Sequence, residues 1–82
     1  MDTDLWQDIQ DERENQDEQW GGAKHDDANT AQQWSVIRAR LDNQQVRLDD
    51  PREQRKKLVK IAAVTIAQIE SLDRKLYAKE TE

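Results

Sequence analysis

The residues best suited to chemistry in this chain sit in one short stretch, Trp20-Gly21-Gly22-Ala23-Lys24-His25-Asp26-Asp27. An indole beside two glycines offers a stacking platform with close backbone approach. The imidazole and two carboxylates add directional hydrogen bonding that suits a purine or a ribose. The same residues have a plainer use. Trp20 can staple a helix end, the glycines can turn the chain, and Asp26 or Asp27 can satisfy backbone donors.

Three further groupings carry chemistry. His25, Asp26 and Asp27 could join Glu70 and Asp73, three residues apart on one helix, as oxygen-rich ligands for Mg²⁺. Arg52, Arg55, Lys56, Lys57 and Lys60 recur at largely helical spacing and form either an anion site for phosphates or a face paired with acidic residues. Trp34 and Arg38 lie one turn apart, so indole and guanidinium can meet around a ligand base, or Trp34 can anchor a core. With one histidine and no cysteine, nucleophilic catalysis has almost no candidates.

The elements that must position these groups are helical. The first helix is expected over about 4–19, capped by Asp2 or Thr3, with a thin apolar set of Leu5, Trp6 and Ile9. Gly21-Gly22 ends it, and 23–30 reads as a loop. Thr30 and Gln33 form a capping box for a second helix over about 31–48, carrying Trp34, Ile37, Leu41 and Leu48. Asp50-Pro51-x-Glu53 opens the third, over about 51–78, with Asp50 as cap and Glu53 closing the box. The expectation is one all-α domain over 1–82: an acidic peripheral helix (1–22), a loop, and a helical hairpin core (31–78).

The third helix would run roughly 40 Å, against about 27 Å for the second, so one partner cannot cover it. Leu58, Ile61, Thr65, Ile69, Leu72 and Leu76 form one stripe. Val59, Ala62, Ala63, Ile66 and Ala67 extend around the cylinder. A helix apolar nearly all round is a buried helix. A second copy is the expected cover, which makes the chain a homo-oligomeric helical bundle.

Composition points the same way. Of 82 residues, 34% are hydrophobic and 38% charged, too few apolar side chains for a large core, and no disulfide is available to compensate. The net charge of -5 divides unevenly: residues 1–27 hold ten acids against Arg13 and Lys24, whereas the remainder holds eleven bases against eight acids. An acidic protein is a poor binder of duplex nucleic acid. No apolar run reaches the roughly 18 residues of a membrane span, and Met1-Asp2-Thr3-Asp4 lacks a signal-peptide pattern, so no membrane partner and a cytoplasmic location are expected.

Gln16-Asp17-Glu18-Gln19-Trp20-Gly21-Gly22, His25-Asp26-Asp27, Trp34, Leu58-Val59-Lys60-Ile61-Ala62-Ala63-Val64 and Ile69-Glu70-Ser71-Leu72-Asp73-Arg74-Lys75 together resemble a group of small phage and prophage proteins. These are similar to MazG-type all-α nucleoside triphosphate pyrophosphohydrolases, and the likeness covers about residues 12–76. That family needs clustered glutamates on its second helix, typically Glu-Glu-x-Gly-Glu, to hold Mg²⁺ against a triphosphate. Here the corresponding stretch is Arg38-Ala39-Arg40-Leu41-Asp42-Asn43-Gln44.

The resemblance therefore implies a nucleotide-binding relative without hydrolysis, acting in the host cytoplasm if phage-encoded and sequestering a nucleotide or cyclic-nucleotide signal of bacterial defence. Gln16, Trp20, His25, Asp26, Trp34, Arg38, Arg55 and Lys60 are its candidate ligand-binding residues. In that reading the two indoles stack on a base, His25 and Asp26 contact base or ribose, and Arg38, Arg55 and Lys60 meet phosphates. No cofactor is implied. One alternative is a divergent Mg²⁺-dependent pyrophosphohydrolase using Asp26, Asp27, Glu70 and Asp73. Another is an inhibitor whose acidic first helix binds a basic protein.

Overall fold

Four α-helices and no strand make up the described residues, 4–80, of the computed structural model. They are α1 (Leu5–Trp20), α2 (Gly22–Ala28), α3 (Ala31–Gln45) and α4 (Pro51–Glu80). No helix among these residues is long and apolar enough to cross a membrane.

The local signals explain most boundaries. The Asp4 carboxylate accepts from Gln7 N–H at 2.9 Å and caps α1. Asp4 thus does the work expected of Asp2 or Thr3, which lie outside the described residues. Gly21, at φ +98°, closes the helix by donating its N–H to the Asp17 carbonyl at 3.0 Å. The Thr30–Gln33 capping box forms as expected, with reciprocal bonds of 3.1 and 2.7 Å.

Asp50 caps α4 by accepting from Arg52 N–H at 2.9 Å, while Glu53 pairs with Lys56 at 3.1 Å instead of closing a box. The second predicted helix stops earlier than expected. Arg47 and Leu48 donate to the carbonyls of Gln44 and Gln45, a tightened last turn that leaves Leu48 outside α3.

One element is new. The stretch expected to be a loop forms α2, so the chain has four helices where three were expected. Asp26 and Asp27 stand at the C-terminal end of α2, where the helix dipole disfavours carboxylates. Cations from other helices offset that penalty, as described below, and no local sequence signal announces them.

The core follows one face of α4. Ile9, Val59 and Ala63 form one buried cluster, joined by Ala62 and Ile66; Trp34, Val64 and Ala67 form the other, joined by Ile37 and Leu41. Small residues on α4 let α1 and α3 approach closely.

Asp8, Asp11, Glu12 and Asn15 of α1 look toward Arg55, Lys56, Val59 and Lys60, whereas Trp6, Ile9, Gln10 and Arg13 look toward Ile66 and Glu70. Since its two flanks face opposite ends of α4, α1 lies across that helix. The longest dimension, 49 Å, matches the roughly 45 Å of a 30-residue helix. The outer stripe of α4 stays exposed at Leu58, Ile69, Leu72 and Leu76.

Candidate functional site

The His25-Asp26-Asp27 segment is chiefly a fastening between α2, α1 and α4. Arg74 forks onto Asp27, with Nη2 at 2.7 Å and Nε at 3.1 and 3.2 Å from the two oxygens. The Ser71 hydroxyl donates to the same carboxylate at 2.8 Å. These bonds, Arg74 first and Ser71 second, hold the Asp27 pKa below its ordinary value and outweigh the opposing effect of burial. Arg74 is correspondingly held above its own.

Asp26 is buried at 5% exposure, with Arg13 Nη2 at 4.0 Å and His25 Nδ1 at 3.6 Å. Arg13 also meets Asp17 at 3.0 Å and Glu70 at 3.1 Å. Burial works against its charge, but the two carboxylates outweigh that and raise its pKa.

The residues of the alternative metal set are placed as follows. Asp26, Asp27 and Glu70 each face an arginine, and Asp73 is exposed outside the network. Among the described residues no three His, Asp or Glu side chains gather as a cation site. Guanidinium groups face three of the four carboxylates.

A different cluster is open to solvent. Gly21 turns the chain so that Trp20 at the end of α1 and His25 in α2 face each other, with ring centroids 6.2 Å apart and planes tilted by 35°. Ile37, Arg40 and Leu41 of α3 complete a pocket of about 330 Å³. Its walls are mostly apolar, with an imidazole and a guanidinium at the edge. That composition suits a flat heteroaromatic ring bearing an anionic group.

The remaining expected site residues lie elsewhere. Trp34 is 3% exposed and packs against Val64 and Ala67, so it is a core anchor with no face free for a ligand. Arg38 turns away from the Trp20 pocket to hydrogen-bond Gln68 of α4, beside a shallow hollow lined by Ser35, Ala39, Asp42 and Ile61. Arg55 is paired with Asp8 at 2.8 Å.

Lys60 lines a groove whose other wall is the acidic flank of α1. The basic run therefore faces carboxylates of its own chain. Gln16 is buried: its amide nitrogen reaches the Glu12 carboxylate at 3.4 Å and the Lys60 carbonyl at 3.5 Å, and its Oε1 is buried without a partner.

Of the eight expected ligand contacts, then, Trp20 and His25 share one pocket, with Asp26 buried beside them, and Arg55 and Lys60 share another whose far wall is acidic. Arg40 takes the place expected for Arg38. The spacing held that signal, since Ile37, Arg40 and Leu41 share a face at i, i+3 and i+4. Trp34 and Arg38, paired by their spacing of one turn, do not line the Trp20–His25 pocket. Compared with known protein families, characterised proteins and solved structures, the chain matches none.

Proposed function

We propose that this chain is a cytosolic, non-catalytic binder of a nucleotide-type small molecule, working as a homo-oligomer. The pocket between Trp20, His25 and Arg40 carries the reading. A base would lie against the Trp20 indole over Ile37 and Leu41. His25 would hydrogen-bond its edge or ribose, and Arg40 would meet phosphate.

The half-exposed outer stripe of α4 supports self-association, because stripes of this kind on small helical proteins are covered by other chains. Arginines tied to Asp26, Asp27 and Glu70 support binding without turnover. A multimer that holds a nucleotide without consuming it sequesters it, which is the role the resemblance to phage proteins implies for a defence signal.

Titration calorimetry with mononucleotides and cyclic di- and trinucleotides, in the presence and absence of Mg²⁺, tests the reading. Binding is expected for at least one of them, lost in Trp20→Ala with the helical circular dichroism unchanged. Failure of the whole panel to bind, or equal binding by Trp20→Ala, overturns the pocket assignment. Release of pyrophosphate in Mg²⁺ would make the chain a hydrolase instead.

A further inference from the structure

The outward side of α4, bordered by Ala62 at the edge of the α1 contact, repeats with coiled-coil spacing. Leu58, Ala62, Thr65, Ile69, Leu72 and Leu76 are separated by four, three, four, three and four residues. The opposite side, Val59, Ala63, Val64, Ala67 and Ser71, is the buried one. In the seam, Leu58, Ile69, Leu72 and Leu76 are between 49% and 57% exposed. This is a second apolar face on a helix whose first face is already used. Trp6, 69% exposed, borders the groove containing Ile66 on the flank of this seam and enlarges the uncovered patch.

We infer that this seam pairs with the same seam of a second copy, and that the two α4 helices run antiparallel. The inference rests on the self-association proposed above and adds its orientation and register. The spacing reads the same in both directions, so an antiparallel partner can overlap all six positions. Leu58 then meets Leu76 of the other copy, Ala62 meets Leu72, and Thr65 meets Ile69. Each small residue faces a large one, and the layers fill evenly. A parallel pair in register would instead stack Ala62 on Ala62 and Thr65 on Thr65, thinning one end and crowding the other.

Charge favours the same orientation. Residues 51–60 carry five bases against Glu53, whereas residues 74–80, which face 54–60 in the antiparallel register, carry Arg74, Lys75 and Lys79 against Glu80. Parallel pairing sets two basic ends side by side. Antiparallel pairing sets each against a less basic segment and opposes the helix dipoles.

Thr65, the one polar member of the seam, already donates its hydroxyl to the Ile61 carbonyl at 3.0 Å. It can enter an apolar seam without stranding a donor. The occupant is therefore a second copy of this chain in place of an unrelated apolar partner: the seam is complementary to itself.

Because the chain has no cysteine, oxidative cross-linking of the full-length protein reads the orientation directly. Antiparallel overlap puts position 58 within disulfide reach of position 76 and about 27 Å from its own copy. The Leu58→Cys/Leu76→Cys double variant is expected to give a covalent dimer on oxidation, and each single variant none. Sedimentation equilibrium of the unmodified protein is expected to show the same pairing. Efficient self-linking of Leu58→Cys alone shows a parallel pair and overturns the orientation while sparing self-association. A monomer at about 100 μM defeats both, since a stable pair has a Kd well below that. Nucleotide titration of the same samples reports separately on the pocket.

Discussion

Arg74 grips Asp27 from 47 residues away in sequence, through three nitrogen–oxygen contacts between 2.7 and 3.2 Å. That fork, with the Ser71 hydroxyl behind it, fastens the short α2 to the long α4. It holds Asp27 at a helix C-terminus and so helps to fix the position of His25, one wall of the open pocket.

The fastening is pH-dependent with a definite sign. The Asp27 pKa is lower in the folded chain than in the unfolded one, so the stabilisation is fully present above the unfolded value, near pH 4. It is lost as pH falls through the lower, folded value. Asp27→Asn should melt earlier than the parent at pH 7, and the two melting curves should approach each other as pH falls below about 4 and converge below the lower, folded value. A pH-independent gap between them would show that the carboxylate charge contributes nothing.

Trp34 and Trp20 should separate stability from binding. Trp34→Ala empties the α3–α4 core and should cost about 3–5 kcal/mol in denaturant unfolding. Such a loss is comparable to the whole stability of a domain this small. Trp20→Ala should leave the unfolding midpoint nearly unchanged while abolishing nucleotide binding.

The two arginines of α3 give a sharper comparison. Arg40 lines the Trp20–His25 pocket, whereas Arg38 bonds Gln68 on the other side of the helix. Calorimetry should find affinity reduced roughly tenfold or more in Arg40→Ala, the loss of one charge-assisted hydrogen bond. Arg38→Ala should bind within about twofold of the parent, below the effect of one neutral hydrogen bond. The reverse order would move the pocket to the opposite side of α3.

Gln16 offers a test of buried polarity. Its amide makes two long hydrogen bonds and leaves Oε1 orphaned. The Lys60 carbonyl is inside α4 and retains its helical bond without it. Gln16→Met should therefore raise stability by about 1 kcal/mol, the penalty of one unpaired buried acceptor. A loss of similar size would mean that the amide bonds outweigh the orphan.

Gly21 holds a conformation that side chains resist. At φ +98°, Gly21→Ala is strained although the added methyl would find only ordinary contact, 3.6 Å from the His25 Cβ. About 1 kcal/mol of stability should be lost. The tilt between Trp20 and His25 should change with it, visible as altered Trp emission.

Much of the architecture was legible in the sequence where a residue acts on its near neighbours. Thr30 with Gln33, Asp50 with Pro51, and the glycine pair all mark real helix boundaries. So did the two-sided apolar pattern of α4. What escaped depends on distant partners. α2 exists because Arg74, Ser71 and Arg13 neutralise or bond two aspartates, and nothing within residues 23–30 shows that.

The site was legible only as far as Trp20 and His25, which share one turn. Trp34 and Arg38 were assigned to it by spacing alone, but which side of a helix is buried is decided by what packs there. Val64 and Ala67 claimed the indole and Gln68 claimed the guanidinium.

In the pairing inferred above, the long helix would be joined to its neighbours by two different adhesives. Within the chain, α1 crosses it on the Asp8–Arg55 and Arg13–Glu70 pairs around a small apolar patch. Its outward seam, Thr65 apart, has only hydrocarbon to offer. Added ammonium sulfate screens the first and strengthens the second. In such a pair ionic strength would move the weakest joint inward: concentrated salt would loosen the crossing arm of each chain while tightening the inferred grip between copies.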